Sequence, residues 1–180
     1  RDLDILAPMA ERGLVKVGLS VTTLDRKLGR LMEPRASTPQ RRLDAIKLLS
    51  GAGVPVSVMF APVIPALNDH EMEAVLSAAA HAGATEAAYI LLRLPLEVAG
   101  LFEEWLDRHF PDRKTRVLNR LREMKGGKLN DPRFKQRMKG SGIEAELMQQ
   151  RFANLAKRLR LNVARNGLDI TSFKRPVLKG

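Results

Sequence analysis

Three times in its first hundred residues the chain closes a helical pattern on a glycine and runs straight into an apolar stretch. The stretches are ERGLVKVGLSVTT, GAGVPVSVMFAPVIP and HAGATEAAYILLRLP. Gly13, Gly53 and Gly83 fall where a helix ends in a left-handed residue. The runs after them predict strands at about 15–21, 56–63 and 87–94. They are rich in Val, Ile and Leu and alternate only in part, the pattern of strands covered on both faces. Helical patterns separate them. STPQRRLDAIKLLSGAG offers Ser37 or Thr38 as N-cap and Pro39 at the first helical position, with Leu43, Ile46 and Leu49 on one face. NDHEMEAVLSAAAHAG places Asn68 and Glu71 at capping-box spacing ahead of Met72, Val75, Leu76 and Ala79. Strand and helix in alternation predict an α/β fold with a parallel sheet and right-handed crossovers. Three strands close no barrel, so this is a small open sheet or a piece of a larger α/β structure.

Beyond Pro95 the strand signal fades. Helical patterns cover about 96–110, 112–124 and 143–161, and KGGKLNDPRFKQRMKGSG reads as an irregular basic linker. The charge divides at the same place. The whole chain of 180 residues carries 31 Lys+Arg and 20 Asp+Glu, a net of +11. Residues 1–100 balance to zero, and the excess lies in residues 101–180. The expected organisation is therefore an α/β unit over 1–100 and a basic helical extension over 101–180, the latter suited to an anion such as nucleic acid.

Zero cysteine removes disulfides, thiolate nucleophiles and cysteine-ligated metals from these 180 residues. No apolar stretch approaches the ~20 residues of a membrane helix, and the N-terminus lacks a signal-peptide layout, so the expected setting is cytoplasmic, away from membranes. The chain opens on Arg1 with a helical pattern already under way, which raises the expectation of further sequence upstream.

Function in parallel α/β folds gathers at the carboxyl ends of strands. Those ends supply Ser20, Thr22, Thr23, Asn68, Asp69, His70, Arg93 and Glu97. Hydroxyls, an amide and an arginine suit a small polar ligand, with Arg93 matched to a carboxylate or phosphate. The competing reading has Thr22 and Thr23 cap a turn and Arg93 pair with Glu97. His70 is flanked by Asp69, Glu71 and Glu73, but its spacing matches no HExxH-type site, and acidic residues belong in a first helical turn. His81 and His109 stand singly. No nucleophilic triad or glycine-rich phosphate loop is present. In DRKTRVLNRLREMK, Val117, Leu121 and Met124 form an apolar stripe, and Arg113, Lys114, Arg116, Arg120, Arg122 and Lys125 crowd the other faces. Of these, Arg113, Lys114, Arg116, Arg120 and Lys125 are the candidate phosphate contacts, although aromatic partners for base stacking are few.

SVTTLDRKLGRLMEPRASTPQRRLDAIKLLSGAGVPVSVMFAPVIPALND resembles the middle of radical S-adenosylmethionine enzymes. It is most similar to the group of spore photoproduct lyase and its bacterial relatives, often labelled DNA repair photolyase-like. The shared pattern is a strand ending in Ser20, then Glu33-Pro34, Ser37, Arg41 or Arg42, Ala45, AGVP and APVIP. RVLNRLREMKGGKLNDPRFKQRMKGSG resembles the C-terminal part of the same group. Ala66 stands where relatives usually carry glycine before LND. The resemblance implies that residues 1–100 form the fourth to sixth strands of a (β/α) barrel. In complete proteins of the superfamily a CxxxCxxC loop holds a 4Fe-4S cluster, which cleaves S-adenosylmethionine to a 5′-deoxyadenosyl radical. That loop is absent here, so this chain by itself is expected to hold no cluster and run no radical reaction. Its expected partner is the N-terminal half of the same protein, with the sheet edges open to self-association.

By resemblance, Ser20 matches a position that contacts S-adenosylmethionine, with Thr22 beside it. Ala61 to Val63 would line the adenosine side, and Arg93 would face substrate or cofactor. The implied activity is that of a lyase-like radical enzyme, with nucleic acid as a candidate substrate. The alternative is a non-catalytic α/β module whose basic extension binds nucleic acid.

Overall fold

The computed structural model describes residues 1–134, 136–163 and 167–172. Among them three strands, β1 (Val17–Ser20), β2 (Val56–Val63) and β3 (Glu86–Leu91), form one parallel sheet in the order β1-β2-β3. Val17 stands opposite Val56, and Ser57 opposite Glu86. α1 (Leu3–Glu11) leads into β1. α2 (Arg26–Met32) and α3 (Pro39–Gly51) connect β1 to β2, and a 3-10 turn (Asp69–Glu71) followed by α4 (Met72–His81) connects β2 to β3. Thr38 caps α3 through its hydroxyl with Pro39 at the first turn, as the spacing predicts. Gly13, Gly53 and Gly83 close the preceding helices with φ of 67°, 75° and 105°.

The β2 strand matches its expected limits, while β1 is shorter and β3 begins one residue early and stops at Leu91. Pro62 follows a cis peptide bond, and the β2–β3 register shifts between Phe60 and Val63, because proline has no N–H for the ladder. Beyond β3, Leu94 turns away into a second apolar cluster instead of continuing the sheet.

Coverage of the sheet differs from expectation. Val56, Val58, Phe60, Ala87, Tyr89 and Leu91 point to one face and are buried against Ile46 of α3, Val75, Leu76 and Ala79 of α4, and Met148 and Leu155. The residues between them, Gly18, Ser57, Met59, Ala88 and Ile90, are half-buried or exposed. All the described helices that join this core lie on the first face, so the partial alternation in sequence reflects one covered face and one open one.

The extension folds as α5 (Val98–His109), α6 (Pro111–Glu123), a short α7 (Gln136–Lys139) inside the predicted linker, and α8 (Ile143–Arg158). α8 joins the sheet core, whereas α5 and α6 pack on Leu28, Ile64 and Leu67. Each apolar cluster thus draws on both sides of residue 100. After α8 the chain turns back along β3. The Asn162 amide donates to Ala87 O and accepts from Ala87 N, both at 3.0 Å. One side chain thereby occupies the backbone groups of Ala87 that β3 would offer a further strand. Among the described residues no helix is long and apolar enough to cross a membrane.

Candidate functional site

The carboxyl ends of β1 and β2 are joined by a buried polar clamp. Asn68, with no exposed surface, accepts from Ile64 N at 2.7 Å and donates to Thr22 O at 2.8 Å and Pro62 O at 3.0 Å. Glu71 accepts from the Thr23 hydroxyl at 2.5 Å and from Leu24 N at 2.7 Å. The Thr23 hydroxyl in turn accepts from Asp25 N. This corrects the expectation of a capping box, for neither Asn68 nor Glu71 makes a side-chain cap bond to α4. Both reach across to the β1 loop instead, where buried backbone groups need partners.

A second network lies above this clamp. Arg42 of α3 donates through Nη1 to Ser20 O at 2.9 Å and Ser20 Oγ at 3.2 Å, through Nη2 to Glu33 Oε1 at 2.9 Å, and through Nε to Ser37 O at 3.2 Å. The other Glu33 oxygen lies 3.0 Å from the Thr22 hydroxyl, which is 3.1 Å from Ala61 O. A planar guanidinium fork is the group that can serve a strand carbonyl and a carboxylate together. The network borders a cavity of about 540 Å³, within the size range of small-molecule sites. Its lining includes Thr22, Arg26, Lys27, Arg30, Glu33 and Arg42. Four cations against one carboxylate give its lining an excess of positive charge, which suits an anionic or zwitterionic group. Asp25 starts α2 by accepting from Lys27 N and Leu28 N, and Leu28 is buried while Arg26, Lys27 and Arg30 stay exposed.

Of the positions expected to bind cofactor, Thr22 alone lines this cavity. Ser20 borders it through Arg42. Ala61 is half-buried and its carbonyl accepts from Thr22. Val63 is a correction: it is fully buried and its carbonyl accepts from Leu92 N, so neither its side chain nor its carbonyl faces a ligand. Arg93 lies beyond the carboxyl end of β3, at the opposite edge of the sheet, and its Nε is buried without a protein hydrogen-bond partner. No ion pair to Glu97 forms among the described residues. His70 is exposed, and among the described residues no group of His, Asp or Glu converges as a metal site. Arg42, Glu33 and Glu71 were the unforeseen participants. The first two stood in the sequence pattern as the EP pair and the arginine after Ser37, which was their available signal.

The basic face loses two members. Arg120 pairs with Glu144 of α8 at 2.9 Å and with Asp69 at 3.0 Å. Burial works against its charge, but the bond to Glu144 and the charge of Asp69 leave its pKa raised. Lys125 is 1% exposed and donates to Arg137 O at 2.8 Å. Neither is placed to meet phosphates on a surface. Lys114 holds Asp107 at 2.6 Å, while Arg113 and Arg116 are exposed.

The scaffold is thus a parallel α/β sheet with a cationic, ligand-sized cavity at the carboxyl end of its first strand. The family profile described as Radical SAM superfamily matches residues 1–79, the stretch that holds β1, β2, the clamp and the Arg42 network. Uncharacterized proteins of Mycobacterium bovis and Mycobacterium tuberculosis are each 32% identical to it over 164 residues, 89% of this chain and 44% of the relative. An uncharacterized protein of Acidianus two-tailed virus is 34% identical over 65 residues, 36% of this chain and 21% of that protein. The chain therefore spans less than half the length of these curated relatives. No solved structure matches it.

Proposed function

We propose that this chain forms the strand-four-to-six part of a radical S-adenosylmethionine enzyme of the spore photoproduct lyase-like branch, and that the Ser20–Arg42–Glu33–Thr22 network shapes its S-adenosylmethionine pocket. The observation that carries this reading is the coincidence of the family match over 1–79 with that network and its cavity. A 4Fe-4S cluster is held by cysteine thiolates, and these 180 residues contain none. The residues present do not fit the cluster, whose ligands must come from other sequence. They do fit S-adenosylmethionine. Its carboxylate suits the cation excess of Arg26, Lys27 and Arg30. The Ser20 hydroxyl accepts from Arg42 and keeps its own proton to donate. Ala61 lies behind this wall of the cavity, its carbonyl 3.1 Å from the Thr22 hydroxyl.

The partner in this reading is the rest of the barrel, joined at β1. Asn162 occupies the β3 edge, which leaves the β1 side as the direction of growth.

The test is anaerobic iron and sulfide reconstitution of a polypeptide that joins this chain to its cluster-bearing sequence, with 5′-deoxyadenosine measured after reduction. Arg42→Met removes the bonds that hold Ser20 and Glu33 in place, and the misplaced wall is expected to raise the KM for S-adenosylmethionine about tenfold. Ser20→Ala should raise it less. Unchanged KM in both variants would remove the pocket assignment, and no 5′-deoxyadenosine from reconstituted protein would remove the radical one.

A second reading, nucleic-acid contact, is favoured by the exposure of Arg113 and Arg116 on the half that holds the charge excess. Two phosphate contacts give a log–log salt slope of about −2. No binding to a DNA oligonucleotide at low salt would end it.

A further inference from the structure

The geometry points to a second ligand site, for an oxyanion group, built by Arg93 and Lys125 at the carboxyl end of β3. None of its members lines the cavity beside Glu33, and β2 stands between the two places. The inference does not depend on the radical reading.

The segment after α6 is folded down onto the end of β3. Gly140, at φ 80°, lies so close that a Cβ would come within 2.6 Å of Met124 O and 3.1 Å of Leu91 Cδ2. Ser141 N then bonds Met124 O at 2.9 Å. Lys125 follows Met124 and is carried inward by this fold. Its hydrogen bond to Arg137 O accounts for one of three ammonium protons. Arg93 arrives from β3, close enough for its charge to depress the Lys125 pKa further after burial has lowered it.

The carboxylate whose charge acts on Lys125 is Asp131, and Asp131 is already engaged. It accepts from Arg133 Nε at 3.0 Å, Arg133 Nη2 at 2.7 Å and Arg133 N at 3.0 Å, which pulls its pKa down to about 2. Counting Arg93, Lys125 and Arg133 against Asp131 leaves two positive charges in excess. Lys125 is withdrawn from water while Arg93 is half-buried beside it, and a buried cation with a like-charged neighbour is unfavourable unless something of opposite sign joins it. Arg93 Nε, Asn130 Oδ1 and Gln136 Oε1 are all buried without a protein partner. The two amides belong to the neighbours of Asp131 and Arg137, the residues that bracket Lys125. A half-turn of either amide presents NH2 groups to an oxyanion. An ammonium and a guanidinium make a donor set for phosphate or carboxylate oxygens, to which such amides could add.

The test uses the 180-residue protein with inorganic phosphate in one arm and succinate in the other, each against sodium chloride at matched ionic strength. Thermal midpoint and calorimetric titration are the readouts. Phosphate stabilises proteins generally, so the measure is the parent's response minus that of Arg93→Gln. Saturable binding in the parent, weakened at least tenfold in Arg93→Gln, is the expected result. The arm with the tighter titration identifies the ligand as phosphoryl or carboxylic. Lys125→Met separates a ligand role from a structural one. It should melt no lower than the parent in chloride, because a buried charge is removed, and should lose the anion response. A parent that responds no more than Arg93→Gln, or a Lys125→Met variant that melts lower and keeps the response, overturns the assignment.

Discussion

Asn68→Ala separates a tertiary clamp from a helix cap by magnitude. A lost N-cap side chain costs about 0.5–2 kcal/mol, typically about 1. The structure predicts more, because Asn68 has no exposed surface and its amide serves Ile64 N, Thr22 O and Pro62 O. Alanine leaves all three groups buried without that partner, and each such loss costs about 1–3 kcal/mol. Taking the lower part of that range for each gives a total of about 3–5 kcal/mol. For a domain of this size that corresponds to a fall in Tm of about 6–20 °C. Asn68→Asp refines the test. It keeps an acceptor for Ile64 N but turns the donating edge into a carboxylate oxygen facing two carbonyls, so at neutral pH it should lose at least as much. Guanidinium unfolding of parent and variants, with unchanged m-values, gives the comparison. A loss near 1 kcal/mol for Asn68→Ala, with Asn68→Asp harmless as a good cap would be, refutes the clamp.

Ala66 has φ 63°, a conformation that costs a residue with a Cβ about 1–2 kcal/mol. Ala66→Gly should therefore raise stability by about 0.5–1 kcal/mol after the entropy of glycine is set against it, seen as a higher denaturation midpoint. Arg151 binds Glu73 across α4 and α8 and lowers its pKa below 4.5. That contribution is fully present above pH 4.5 and is lost as pH falls through the depressed folded value. Since the pair is partly exposed, Glu73→Gln should lower neutral-pH stability by less than about 1 kcal/mol and flatten the acid limb of a stability–pH curve. Asn162→Gly keeps the backbone freedom that φ 62° requires and removes the amide from the β3 edge. Light scattering should show concentration-dependent association in the variant beyond that of the parent, and equal association would show that the amide is no edge guard.

The units of glycine and strand were legible because a C-cap and a run of β-branched residues are local signals. The ends of those strands were not, since they depend on where neighbours stop. β3 ends at Leu91 because Leu94 has a better partner in the cluster of Leu106 and Leu121 than in the sheet. The stripe Val117, Leu121, Met124 was also legible, and all three are buried. The same period held a warning about Arg120. It stands three residues after Val117 and one before Leu121, beside the buried stripe, so it meets Asp69 and Glu144 instead of solvent. Lys125 escaped that logic because α6 ends at Glu123, and beyond a helix end the periodicity no longer says which way a side chain points. Counting charge treats such a lysine as surface, whereas the fold of 124–141 over β3 decides otherwise.

Asn68, Glu71, Glu33 and Arg42 share one reason for being missed. Each bonds to backbone or side chains brought near by the parallel crossover, 46 residues away for Asn68 to Thr22 and 22 for Arg42 to Ser20. Local rules gave Asn68 and Glu71 a local task, the cap of α4, and assigned none to Glu33 and Arg42. In the fold these four hold the β1 loop against β2 and consume most of its polar groups. Thr22, Thr23 and the Ala61 carbonyl are then spent on architecture, so they cannot select a ligand directly. What remains to face the cavity are the cations of α2, Arg26, Lys27 and Arg30. The residues that carry the resemblance therefore brace the cavity from behind, while most of the positive charge in its lining comes from α2.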